Sequence, residues 1–151
     1  MSLKQQIDGD LKQALLAGDK AKVTTLRGLK AVILDAEVTA GVRAEGLPDA
    51  EIEKLIQKEA KKRRESIAIY RQNNRDDLAD SEDAELKLLS AYLPNQLSED
   101  ELAAAVDVVI ITTGANSIKD MGKVVGAVKA QVGNTADGAL VAQIVKQKLG
   151  G

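Results

Sequence analysis

At 151 residues the chain has room for one or two small domains, and a net charge of −2 is too small to drive bulk attraction to nucleic acid or a membrane. It contains no Cys and no His, which excludes disulfides and thiolate metal sites and removes the usual general base and commonest metal ligand. With no Phe, no Trp and two Tyr it has no base-stacking platform, so its core must come from Leu, Ile, Val and Ala.

Ser2 can cap a first helix whose apolar face is Leu3, Ile7, Leu11, Ala14 and Leu15, ending at Gly18-Asp19. A second helix carries Leu26, Leu29, Ile33, Ala36 and Ala40 in steps of three and four and ends near Gly41. The polar link over residues 41–47 leads to Pro48, which suits the first turn of a third helix. Asp49 and Glu51 then sit favourably at its positive end.

The third helix organises the chain. Ile52, Leu55, Ile56, Ala60, Ile67 and Tyr70 form its apolar stripe. Arg63 falls in the same row, and a charge there must find a partner because burying it alone is costly. Glu82 or Glu85 is the expected partner in a structural ion pair. Residues 54–75 hold eight Lys and Arg against Glu59 and Glu65, and a run of six acids follows from Asp76 to Glu85.

Two readings of this pattern compete. Lys58, Lys61, Lys62, Arg64, Arg71 and Arg75 can make a phosphate-binding patch. Alternatively the acidic run folds back on the basic helix, giving interhelical pairs and no net patch.

The third helix breaks near Gln72-Asn73-Asn74. A fourth runs roughly over residues 77–92, with Leu78, Leu86, Leu89 and Leu93 apolar and Ser81 a second possible cap. Pro94 ends it. Ser98 and Glu101 make a capping box opening a fifth helix with Leu102, Val106, Val109 and Ile110. Residues 108–111 could pass for a strand, but the capping box favours helix. Gly114 fits a C-terminal cap, and Ser117 starts a sixth helix with Ile118, Met121, Val125, Val128 and Val132 in helical period. Gly133 ends it, and Thr135 caps a seventh helix with Leu140, Val141, Ile144, Val145 and Leu149. The expected fold is therefore all-α: a four-helix N-terminal domain over residues 1–94 and a small three-helix domain over residues 95–151.

No apolar run approaches a membrane span, and the first residues lack a secretory core. A cytoplasmic protein with no membrane partner is expected. No residue set suggests a cofactor, a metal or a catalytic pair.

Four ordered segments resemble the YqeY family, whose members are related to the C-terminal tail of the GatB subunit of tRNA-dependent amidotransferases. They are Leu26-Arg27-Gly28-Leu29-Lys30; the Lys61, Arg63, Glu65, Ser66 and Tyr70 pattern with Arg75-Asp76-Asp77-Leu78; Tyr92-Leu93-Pro94 with Gln96-Leu97-Ser98; and Asp120-Met121-Gly122-Lys123-Val124 with Ala136-Asp137-Gly138. Gly28 departs from the family pattern, which carries a bulkier apolar residue there.

The resemblance implies a GatB-tail-like C-terminal domain and an association with translation, through tRNA or an aminoacylation-related complex and not through DNA. The family label is carbon–nitrogen ligase activity with glutamine as amido-N-donor. Only the tail is present, so catalysis by this chain alone is not expected.

If the tail binds tRNA, the start of the sixth helix is the best site, with Ser117, Lys119, Gly122, Lys123 and Gly126. The competing reading is that Gly122 and Gly126 let a neighbouring helix pack closely. Residues 96–151 hold five Lys against six acids, so any RNA contact there must be local.

Overall fold

The computed structural model describes residues 1–150; Gly151, with which the expected second domain ends, lies outside the described residues. Among the described residues there is no strand. Seven helices occur: α1 (Leu3–Ala17), α2 (Lys20–Ala40), α3 (Asp49–Gln72), α4 (Asp76–Ser90), α5 (Glu99–Thr113), α6 (Met121–Val132) and α7 (Gly138–Gly150). The all-α expectation holds. The chain divides into two compact units, Met1–Leu93 and Pro94–Gly151.

In the first unit, Ser2 caps α1 in a reciprocal box: its hydroxyl accepts from the Gln5 N–H, and the Gln5 side chain accepts from the Ser2 N–H. Gly18, left-handed at φ 72°, closes α1, and the Asp19 carboxylate caps α2 by accepting from the Lys22 N–H. Asp49, at the start of α3, accepts from the Leu3 N–H at 3.0 Å, so α1 and α3 begin side by side. Asn73 and left-handed Asn74 (φ 58°) turn the chain from α3 into α4.

The core of this unit is Leu3, Ile7, Leu26, Leu29, Ile33, Ile52, Ile56 and Leu89, with Tyr92 and Leu93 packed against it. The Tyr92 hydroxyl donates to Asp10 at 2.6 Å, and burial first, then this bond, pushes its pKa far above the ordinary value. Every fully buried residue of α3 lies in its first half: Ile52, Ile56 and Ala60.

Three details differ from expectation. Leu15 is 50% exposed because the row from Leu3 and Ile7 continues to Ala14, one residue earlier. On α2 the buried row ends at Glu37 rather than at Ala36 and Ala40. Ser81 is interior to α4, which starts at Asp76 without a side-chain cap.

In the second unit, the Ser98 hydroxyl accepts from the Glu101 N–H, and Glu101 accepts from the Ser98 N–H. These bonds hold the Glu101 carboxyl below its ordinary range. The core is aliphatic throughout: Leu102, Val106 and Val109 from α5, Val124, Val128 and Val132 from α6, and Val141, Ile144, Val145 and Leu149 from α7. The Leu97 N–H donates to the Thr135 carbonyl at 2.7 Å, pinning the segment that leads into α5 to the α6–α7 connection.

The sixth helix also departs from expectation. A 3-10 turn over Ile118–Asp120 precedes α6, and the change of pitch rotates the following residues. Val124 is fully buried, Met121 and Val125 are half-buried, and Ile118 is 46% exposed. Thr135 does not cap α7. It closes a second 3-10 turn, Gly133–Thr135, and its hydroxyl donates to the Val132 carbonyl. Helix α7 starts after Asp137, whose carbonyl accepts from the Val141 N–H.

Candidate functional site

The acidic run folds back on the basic helix, but its pairing is partial. Arg63 lies 3.1 Å from Glu85 and 3.5 Å from Glu82, joining α3 to α4. Arg63 Nε and one Glu82 oxygen fall outside hydrogen-bonding geometry, so the contact is an ion pair more than a directed bond. Arg71 donates to Asp76 and Asp80, and Arg75 donates to both oxygens of Asp77. The bonds to Asp80, then Asp76, raise the Arg71 pKa. The Arg75 bond raises its own pKa and lowers that of Asp77. Lys62 pairs with Glu59 at 3.3 Å. Lys58, Lys61 and Arg64 have no ion pair among the described residues.

On α6 the picture is different. Lys119, Gly122, Lys123 and Gly126 are all exposed, and Ser117 is half-buried. A Cβ placed on Gly122 or Gly126 would meet no heavy atom within 4 Å. The close-packing reading of these glycines therefore fails: among the described residues no neighbouring helix lies within 4 Å of a Cβ at either position. Steps of three and four along α6 put Gly122, Lys123 and Gly126 on one solvent face, and Lys119 lies exposed in the 3-10 turn just ahead of it. Neither lysine has an ion pair among the described residues.

The end of this helix is less open than its side. The Asp120 carboxylate accepts from the Asn116 N–H at 3.1 Å just ahead of Met121, and Ser117 makes no side-chain cap bond. An anion approaching the helix end meets that carboxylate, whereas one approaching the side meets Lys119 and Lys123. The arrangement presents cations beside bare backbone. Among the described residues no group of three or more acidic side chains is placed to hold a metal.

Sequence reasoning passes over Glu37, a carboxylate only 1% exposed. Both its oxygens accept from Lys4 Nζ at 2.9 Å, and one also accepts from the Leu47 N–H at 3.0 Å. The Lys4 bond foremost, then the Leu47 N–H and the charges of Lys4 and Arg43, hold its pKa below the ordinary carboxylate value against the opposing effect of burial. The sequence signal is its place four residues after Ile33 on the apolar row. Gly46, at φ 80°, lets the link approach: a Cβ there would lie 3.2 Å from a Glu37 oxygen.

Residues 4–149 match the model of the family described as Yqey-like protein. Similar curated proteins carry the name "Altered inheritance of mitochondria protein 41, mitochondrial". That of Eremothecium gossypii is 39% identical over 100 residues, 65% of this chain and 54% of that protein. That of Vanderwaltozyma polyspora is 39% identical over 84 residues, 56% of this chain and 44% of that protein. That of Clavispora lusitaniae is 30% identical over 136 residues, 87% of this chain and 74% of that protein. The chain spans about half the length of the first two.

These relatives are named as mitochondrial, which overturns the expectation of a cytoplasmic protein. That expectation rested on the lack of a secretory core, an apolar signal. Mitochondrial targeting uses amphipathic, Arg-rich segments, to which such a test is blind.

Proposed function

This chain belongs to the YqeY family, and from that premise we propose that it is a non-catalytic helical protein that associates with tRNA or with a tRNA-dependent amidotransferase complex. The observation that carries the reading is the open start of α6, where Gly122, Lys123 and Gly126 are exposed and Lys119 is exposed in the 3-10 turn just ahead. Each glycine inside a helix costs about 1 kcal/mol relative to Ala. Here two occur in a 12-residue helix where no packing contact calls for them. A surface without side chains, flanked by cations, suits a sugar–phosphate backbone approaching closely.

Contacts of this kind read phosphate and shape, in keeping with the scarcity of aromatic side chains. The relatives' names speak of inheritance of mitochondria and not of RNA. The support therefore comes from the α6 face and from the resemblance of this unit to the amidotransferase tail.

The test is binding of purified protein to total tRNA at about 50 and about 200 mM salt, since each phosphate contact makes affinity fall steeply with salt. Wild type is compared with Lys119→Glu/Lys123→Glu and with Lys61→Glu/Arg64→Glu. Salt-sensitive binding lost in the first variant alone supports the reading. Loss in the second alone moves the contact to α3. No binding by wild type at either salt leaves a protein–protein adaptor acting through α3 as the better account.

A further inference from the structure

The unit Met1–Leu93 contains a half-open cleft of about 340 Å³ between α1 and α2, far in sequence from the α6 face. That volume is within the range of small-molecule sites. Its floor is apolar, with Ile7 and Ile33 buried, and with Ala31 and the 39% exposed Leu34 open to solvent.

Most charges around the cleft are already matched. Lys30 pairs with Asp8 at 2.7 Å, and Lys4 pairs with Glu37. Arg43 is the exception: it is exposed and has no ion pair among the described residues. Lys4 directs two bonds at Glu37, and an ammonium has three N–H donors, so one donor remains. Lys4 and Arg43 both line the cleft, so it carries two cations on its wall. Glu37 itself is committed to Lys4 and the Leu47 N–H and is not free to neutralise an added cation.

We propose that this cleft binds an amphiphilic anion: a short apolar chain lying over Ala31 and Leu34, with one carboxylate or phosphate held by Arg43 and the remaining donor of Lys4. The apolar floor rejects a bare anion, which gains nothing from it. The unmatched positive charge rejects a cationic amphiphile of the same length. The guanidinium fork suits both carboxylate and phosphate, so the head group is left to experiment.

The test is titration of the isotope-labelled full chain, followed by amide and methyl NMR shifts. The probes are octanoate and octyl phosphate, with acetate and octyltrimethylammonium as controls. At least one of the two anionic octyl probes should shift Ala31, Leu34 and Arg43 in a saturable way, and whichever binds more tightly names the head group. Acetate should leave these residues in place. Arg43→Gln should weaken binding by about tenfold, the effect of one charge-assisted contact. Leu34→Glu should abolish it, and the melting temperature of each variant confirms folding.

Equal binding of octyltrimethylammonium would overturn the proposal. So would wild-type affinity in both folded variants, or no saturable shift with either anionic probe. A further arm uses phosphatidylglycerol vesicles. Binding to vesicles without binding to monomeric octyl phosphate would indicate a membrane surface contact and also overturn it.

Discussion

The two units are built from different materials. Met1–Leu93 ties its helices together with charge: Lys4 to Glu37, Lys30 to Asp8, Arg63 to Glu82 and Glu85, and Tyr92 to Asp10. Pro94–Gly151 holds three helices around an all-aliphatic core, with Lys148–Asp107 as its interhelical ion pair among the described residues. The contrast bears on function. In the first unit several cations are committed to structure, whereas in the second Lys119 and Lys123 are left to solvent. A near-neutral unit can thus offer a usable positive face, because what matters is which charges are unmatched and not their sum.

Cavity formation should give the largest effect. Leu102→Ala, at a fully buried position of the second unit, should cost about 2–5 kcal/mol in denaturant unfolding. Hydrogen exchange would show protection lost in α5, α6 and α7 and kept in α1 and α2 if the aliphatic core is self-contained. The same substitution at Ile56 should act the other way round.

Next comes the ionic link between α3 and α4. Arg63→Met leaves Glu82 and Glu85 facing each other without their cation, and at this partly exposed site the loss should be about 1–2 kcal/mol. The triple change Arg63→Met/Glu82→Leu/Glu85→Leu should recover most of it, because removing all partners leaves no unmatched charge. Failure of the triple variant to recover stability would mean the pair holds α3 and α4 in register, which apolar packing cannot replace.

Acid should separate the units further. Glu37 is held below its ordinary value of 4.5, so its contribution is complete above that pH and is lost as pH falls through the lowered folded-state value. Melting temperature measured from neutral to strongly acidic pH should fall for both units, through Glu37 in the first and Glu101 in the second, and Glu37→Gln should flatten the fall of the first unit alone. Tyr92 acts at the other end. Its raised pKa gives stability that is complete below 10.0 and is lost as the medium becomes more alkaline.

The smallest effect should come from α6. Gly122→Ala and Gly126→Ala have room for the added methyl and should each raise stability by about 0.4–1 kcal/mol, read by thermal unfolding. A stabilised double variant that loses tRNA affinity would link the bare backbone directly to binding.

Much of the helical pattern is legible in the sequence because caps and apolar rows agree. Ser2, Ser98 and Gly114 mark helix ends by chemistry alone. Arg63 is legible because a single charge interrupts an apolar row. Glu37 obeys the same rule, but Ala36 and Ala40 offer a competing apolar continuation that hides it. In α6 the adjacent valines at 124 and 125 each fit a helical row, and only the 3-10 turn ahead of them decides which is buried. The two glycines of α6 are the deepest ambiguity. A missing side chain looks the same in sequence whether a helix or open solvent lies beyond it, and the structure places solvent there.

The proposed tRNA contact stands or falls on where RNA would meet the chain. The most direct measurement is titration of total tRNA into the isotope-labelled protein at low salt, with chemical shifts and line broadening mapped residue by residue. Perturbations concentrated at Lys119, Gly122, Lys123 and Gly126, and reversed by added salt, are the predicted result. Perturbations centred on Lys58, Lys61 and Arg64, or none at all, would contradict it.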